Sequence, residues 1–212
     1  MPSPQFNTFV AGHILTASEM NSYLMKQSVI VCDSSADYPG SPVEGMVIFD
    51  KALNRGLFYT GAAWLPSFGS MPGCKALLST TMSNTANGAD IPVALDDTDA
   101  WDTDAFHDPA SNNTKITIPT GLGGRYIIVG KISWESDSTA RRTARIKLND
   151  TSSYGFTASS AETGTHGVLT TAEIELVATD YVELIGQQNT GGTLDITGGD
   201  LSVRWVSGPD PD

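Results

Sequence analysis

The chain has 212 residues, room for one full-sized domain and a smaller appendage. Hydrophobic residues make up 40%, enough for a real core, while 17% charged is low for a cytosolic enzyme. A formal net charge of −12, with only 12 lysines and arginines, excludes nucleic acid as a partner and gives an anionic membrane nothing to attract.

In chain order, Met1-Pro2-Ser3-Pro4-Gln5 lacks the basic start and apolar stretch of a signal peptide, so synthesis and folding in a cytosol are expected. No apolar run approaches the roughly 20 residues of a membrane span, and no membrane insertion is expected. Thr16-Ala17-Ser18-Glu19 reads as a capping box, with Leu15 and Met20 placed for a hydrophobic staple. Met20, Tyr23 and Leu24 then share one helical face, and the helix is predicted to end near Gln27. A helix this short is marginal alone, so its apolar face docks either on the rest of the chain or on a partner in an assembly.

A small β module is predicted next. Val29-Ile30-Val31, Met46 to Asp50, Leu57-Phe58-Tyr59 and Ala63-Trp64-Leu65 are its apolar runs, with turns at Pro39 to Pro42 and Leu53 to Gly56. Strands with so little apolar area do not stand alone, so docking or oligomerisation is expected. The stretch that follows is rich in Gly, Ser, Thr and Asn without clear periodicity, and reads as a connector. Cys32 and Cys74 show no metal-ligand spacing and are too few for a disulfide framework; cytosolic folding favours two reduced thiols unless the fold brings them together.

From Leu95 the pattern turns to period two. Lys115 to Pro119 is one strand, and Arg125 to Trp134 is a long one with Tyr126, Ile128, Ile132 and Trp134 on one face. Arg142 to Asn149 sets Ala144, Ile146 and Leu148 inward, and Val168 to Val177 does the same with Ala172, Ile174 and Leu176. Asp180 to Gln187, Gly192 to Thr197 and Leu201 to Val206 complete a set with no helical period, the signature of a sandwich. The expected divisions are an arm and helix over 1–28, a β-hairpin module over 29–66, a linker over 67–94, a sandwich over 95–207 and a tail over 208–212.

Several stretches of this half are familiar in order: Trp101-Asp102-Thr103-Asp104-Ala105-Phe106-His107-Asp108, Lys115 to Pro119, Gly124-Arg125-Tyr126 with the strand through Trp134, Arg142 to Asn149, and Glu175 through Leu184. Together they resemble the jelly-roll heads of complement-type and tumour-necrosis-factor-type proteins, in the version found in phage fibre and tail proteins. One departure is Thr179, where the family usually has glycine before the aspartate of a late turn; that turn must avoid a left-handed residue or accept strain. The N-terminal part, with Phe9 to Leu24, Pro42 to Phe49 and Tyr59 to Trp64, is similar to N-terminal modules of phage minor tail or head-fibre proteins. The resemblance implies a mainly β chain, a C-terminal jelly-roll sandwich preceded by a short N-terminal helix and a small β module. It further implies a virion protein made in the host cytoplasm. Its N-terminal part would attach to tail or capsid proteins through Leu15, Thr16, Glu19, Met20, Tyr23 and Leu24, and its head, a homotrimer, would project. The long strand's second face begins apolar at Ile127 and Val129 before turning polar at Lys131 and Ser133; a subunit interface or a packed second sheet would hide it equally well.

Little chemistry is written in the chain. His13, His107 and His166 fall in no metal spacing, and Gly121-Leu122-Gly123-Gly124 lacks the helix and lysine of a phosphate loop. No cofactor and no enzymatic activity are expected. The acidic run Asp96, Asp97, Asp99, Asp102, Asp104 has the residue type of a Ca²⁺ site but lacks the glycine and closing glutamate of the loop signature, so a solvated acidic connector competes with it. Contact with a host glycan or protein is expected from loops at one end of the sandwich. These are Ser152 to His166, with Tyr154 and Phe156 as anchors beside His166, and Gln187 to Gly192, with Gln188. The competing role is a capsid decoration or head fibre that stabilises the particle or adheres weakly.

Overall fold

A computed structural model describes residues 29–162 and 166–209, together with Gly12, Ile14, Thr16 and Ala17. The helix expected over 16–27 lies outside the described residues apart from Thr16 and Ala17, which are exposed. The chain divides into two compact units, Met1–Ser70 and Met71–Asp212. Among the described residues both are built from strands, and no helix is long and apolar enough to cross a membrane.

The N-terminal unit is a four-stranded sheet of β1 (Ile30–Cys32), β2 (Val47–Asp50), β3 (Arg55–Tyr59) and β4 (Trp64–Gly69) in that spatial order. β1 runs parallel to β2, and the other pairs are antiparallel. The parallel start needs a crossover, and the loop from β1 to β2 supplies it by a 3-10 turn at Ser35–Asp37. Ser34 caps that turn, its hydroxyl accepting from the Ala36 amide while the Asp37 carboxylate accepts from the Ser34 amide. One face buries Cys32, Ile48 and Leu57 against Ile30, Tyr38 and Trp64. Among them stand two buried charged residues: Asp50 accepts from the Tyr38 hydroxyl at 2.6 Å and the Leu53 amide at 2.8 Å, and lies opposite Arg55 across β2 and β3. That pairing brings Arg55 and Gly56, expected in the turn, into the strand, and Asn54 closes the turn at φ 51°.

The second unit contains β5 (Gly73–Leu77), β6 (Met82–Thr85), β7 (Ile91–Pro92), β8 (Trp101–Asp102), β9 (Lys115–Thr117), β10 (Gly124–Trp134), β11 (Asp137–Leu148), β12 (Ser152–Glu162), β13 (His166–Leu176), β14 (Tyr181–Gln188) and β15 (Leu194–Ser207). One sheet has the order β13-β10-β15-β5-β8 with β6 also on β15; the other has β12-β11-β14-β7 with β9 also on β14. From β6 to β11 and from β12 to β15 consecutive strands alternate between the layers, as in a jelly roll. Tyr126, Ile128, Ile132 and Trp134 of β10 are fully buried, and Ala144, Ile146, Val182 and Leu184 meet them from the other layer. The fit across the layers is close: a Cβ on Gly186 would lie 2.9 Å from the Trp134 ring, so the bare backbone there makes room for the indole.

Two expectations need correction. Residues 67–94 are not a connector: β4 runs on to Gly69, β5 pairs with β15 through Cys74 opposite Val203 and Ala76 opposite Leu201, and Cys74, Ala76 and Val93 are core residues. The signal was weak because those inward residues are small and β6 and β7 are too short to show a period. β11 also begins at Asp137 rather than Arg142, because the Arg142 guanidinium is buried and donates to the carbonyls of Asp137 and Thr139, folding that segment onto the strand.

At the late turn the strain is accepted: Thr179 has φ 76°. The neighbouring side chains hold it there. Asp180 accepts from the Val177 amide at 2.9 Å and from the Asn149 side-chain Nδ2 at 2.7 Å, while the Asn149 side-chain Oδ1 accepts from the Tyr181 amide at 2.9 Å.

Candidate interaction surfaces

The outward face of the sheet containing β10 is the first surface. Strand register sets its rows: Glu173, Ile127 and Arg204 stand side by side, then Thr171, Val129 and Ser202, then Leu169, Lys131 and Asp200. Ile127, Leu169 and Val206 are about half exposed, at 44%, 55% and 47%. The apolar centre is thus flanked by acid on β13 (Glu173, Glu175) and by base on β15 and β5 (Arg204, Lys75), with Lys75 paired to Asp200 at 3.2 Å. Arg204 lies over the Trp101 ring at 4.7 Å, which fixes the guanidinium as part of the surface. Ile127 and Val129 were visible in the sequence; Leu169 and Val206 were not, because their partners across the sheet depend on strand order. Among the described residues of the unit no second sheet packs over this face, since the other layer covers the opposite side.

Of the segment Ser152 to His166, expected as a loop, residues 152–162 form β12 and His166 opens β13. Among the described residues β12 is an edge strand that pairs with β11 alone. Its register breaks between Ile146–Tyr154 and Ala144–Thr157, with Gly155 at φ 58°, and this bulge turns Phe156 outward at 57% exposure while Tyr154 stays half-buried. Only glycine fits at the bulge, because a Cβ would lie 2.1 Å from the Thr171 carbonyl oxygen. His166 pairs with Trp134 at the head of β13.

Gln188 is not a contact residue. It is 1% exposed, donates to the carbonyls of Thr85 and Gly192, and accepts from the amide and hydroxyl of Thr190. Its chemistry is spent holding the following loop. Sequence alone gives no sign of this, since a glutamine after a strand reads as surface. Of the residues expected to attach to the particle, Thr16 is exposed, and Leu15, Glu19, Met20, Tyr23 and Leu24 lie outside the described residues.

The acidic run folds as a set of loop anchors. Asp96 accepts from the Ser79 amide at 2.9 Å and the Ser79 hydroxyl at 3.1 Å. Burial alone would raise its carboxyl, but the Ser79 and Thr80 hydrogen bonds together hold it below the ordinary value. Asp102 accepts from the amides of Asp104, Phe106 and His107, and Asp99 accepts from or shares a proton with the His107 ring at 2.8 Å. The thiol of Cys74 and carboxylate oxygens of Asp99 and Asp102 lie within 4.8 Å of one another. This set does not fit Ca²⁺, which takes six to eight oxygens; one donor is a thiol, and both Asp102 oxygens are already occupied by backbone amides. Burial, then the two carboxylates, push the Cys74 thiol well up, so it stands as a protonated core residue. Cys32 and Cys74 are both free and buried, one in each unit. An open concavity of about 470 Å³ lies beside this loop, lined by Phe106, His107, Asp108, Asn112 and Lys115 among others. The Lys115 ammonium sits over the Tyr181 ring at 3.9 Å and the His107 ring lies 2.8 Å from the Asp99 carboxylate, so both side chains are engaged in the fold.

No protein-family model matches the chain, and no curated protein does. Solved structures do. PRD1 vertex protein P5 superposes with a TM-score of 0.52 at 13% identity, over 80% of this chain and 86% of that one. Murine APRIL superposes with a TM-score of 0.50 at 10% identity, over 65% of this chain and all of that one. The globular domain of zebrafish complement 1qA protein aligns with 64% of this chain at 14% identity and a TM-score of 0.47. The first two show the fold: the C-terminal unit is a jelly roll.

Proposed function

We propose that this chain is a bacteriophage virion protein of the minor tail or receptor-binding type, attached to the particle by its N-terminal part and presenting a homotrimeric jelly-roll head to the host surface. The observation that carries the reading is the outward face of the β10 sheet. A cyclic trimer brings one side of such a face against the other side of the next copy. Here Glu173 and Glu175 stand on β13, Arg204 and the Lys75–Asp200 ion pair stand on β15 and β5, and apolar Ile127 and Val129 of β10 lie between. Charge flanks of opposite sign around an apolar centre suit a heterologous contact that closes. Light scattering of the full chain is expected to give three times 22.4 kDa. Ile127→Asp is expected to reduce it to the monomer mass while the sandwich still melts cooperatively. A monomeric parent protein would sink the trimer.

Host contact is assigned to the β12 edge, where the bulge presents Phe156 beside Tyr154, with His166 on the adjoining strand. Phe156→Ala is expected to weaken adsorption to host cells without lowering the melting temperature; unchanged adsorption would remove this edge from the site. The particle-attachment role stays with Leu15, Thr16, Glu19, Met20, Tyr23 and Leu24, and the reading includes no enzymatic activity. The second reading is a capsid decoration or head fibre, and the likeness to a vertex protein over 80% of the chain favours it. Labelled antibody on intact particles separates the two by marking tail or shell.

A further inference from the structure

The hairpin turn between β11 and β12 is fastened to β14 by ionisable groups. Asn149 and Asp150 both lie in the left-handed region, at φ 48° and 58°, and the Thr151 amide donates to the Leu148 carbonyl across them at 3.0 Å. Asparagine and aspartate tolerate that backbone better than most side chains, yet its cost has to be offset by contacts. Asn149 makes two of them, to Asp180 and to the Tyr181 amide. The Asp150 carboxylate accepts from the Tyr181 hydroxyl at 2.8 Å and lies 3.6 Å from the Lys147 ammonium. It also stands within hydrogen-bond reach of the Glu183 carboxyl.

Glu183 is 3% exposed and sits two residues beyond Tyr181 on the same face of β14, its Oε1 accepting from the Thr114 hydroxyl at 2.7 Å. Register sets Lys147 of β11 on one side of it and Lys115 of β9 on the other. Lys147 pairs with Asp150, and Lys115 lies over the Tyr181 ring. The next charged groups along this face, Arg145 and Asp90, pair with each other. Two carboxyl groups in contact, one of them buried, hold together when one proton lies between them.

We propose that a single proton shared by Glu183 and Asp150 latches the β11–β12 turn to β14, and that its loss toward neutral pH releases the turn and the start of β12. Burial raises the Glu183 carboxyl above its ordinary 4.5, and Asp150 adds to this against the opposing Thr114 hydroxyl and Lys115 ammonium. Hydrogen bonds from Tyr181 and then Glu183 hold Asp150 below its ordinary 3.8. The Glu183 contribution is complete below 4.5 and is lost as pH climbs past the raised value, while that of Asp150 is complete above 3.8 and is lost as pH falls past the lowered one. The latch is therefore closed in mild acid and opens on the alkaline side, when Glu183 releases its proton to water. The two carboxylates then repel, and Asp150, whose side chain is 58% exposed, is the one that turns to solvent. The latch lies within one chain and needs neither the trimer nor host contact at β12.

Hydrogen exchange of the full chain, followed by mass spectrometry and corrected for the intrinsic rate at each pH, reads the latch in peptides covering residues 148–156. Their protection is expected to fall about tenfold between about pH 5 and about pH 8, with that of β10 unchanged. Glu183→Gln can still accept from Thr114 and donates to Asp150 at every pH, so its turn is expected to stay protected throughout. Asp150→Asn changes an exposed position, tolerates the left-handed backbone and donates to the Glu183 carboxylate, so it too is expected to abolish the fall, and it decides the matter if Glu183→Gln folds poorly. Equal protection of the parent chain at the two pH values would overturn the proposal, as would an undiminished fall in a variant that melts like the parent.

Discussion

The two units apply one rule, alternation of apolar and polar residues, to different numbers of layers. In the jelly roll two sheets face each other, so Trp134 and Ile132 of one meet Gly186 and Leu184 of the other and both vanish from water. Among the described residues the N-terminal unit has a single sheet, which closes one face with its own crossover loop, the buried Asp50 and Arg55 and the half-buried Tyr38. It carries six apolar side chains on the other, Val31, Val47, Phe49, Phe58, Leu65 and Phe68. The difference teaches that an apolar strand position means core only where a second layer exists. Otherwise it means surface, and surface of that kind calls for a partner.

The sharpest way to break the comparison is to remove the largest interlayer contact. Trp134→Ala is expected to destabilise the jelly roll by about 3–5 kcal/mol, read as a lower urea midpoint for that unit with the N-terminal unit's Trp64 signal unmoved. Loss of both signals together would mean that the units fold as one. Asp50→Ala should act in reverse, leaving Arg55 buried opposite a methyl group and costing the N-terminal unit about 3 kcal/mol, with the jelly roll unchanged. An N-terminal unit as stable as before would show that packing, not the polar pair, carries it.

A pH scan adds a finer distinction. Burial, then the hydrogen bond to Asp50, raises the Tyr38 phenol above its ordinary value of 10.0. A group raised in the folded state adds stability that is complete below the unfolded value and is lost as pH climbs past it. The N-terminal unit should therefore weaken above about pH 10, and Tyr38→Phe, though less stable at neutral pH, should show a shallower alkaline loss; equal slopes would detach Tyr38 from that transition. The smallest effect is a gain. Thr179→Gly relieves a φ of 76° and is expected to raise jelly-roll stability by about 1 kcal/mol, measured as a higher melting temperature.

Much of the jelly roll was legible because long strands repeat their signal. The inward set of β10 and the turn at Asn149-Asp150 stand in the sequence as they do in the structure. β5, by contrast, inserts beside β15 through the small residues Cys74 and Ala76, and no local pattern announces a neighbour more than 120 positions away. Candidate surfaces were legible in part. Ile127 and Val129 stood out as apolar on an outward face, and Phe156 as an aromatic among small residues. Gln188 misled because hydrogen bonding to Thr85 turns a surface residue type into an internal anchor.

By itself, then, the sequence determined where chain segments extend and which side of each strand is apolar, since alternation is a local property of neighbouring residues. Which strands pair, which face a second layer covers and which is left to water were decided only in three dimensions. Strand order joins residues far apart in the chain, and the burial of Asp50, Arg142 and Gln188 follows from the partners that order brings to them.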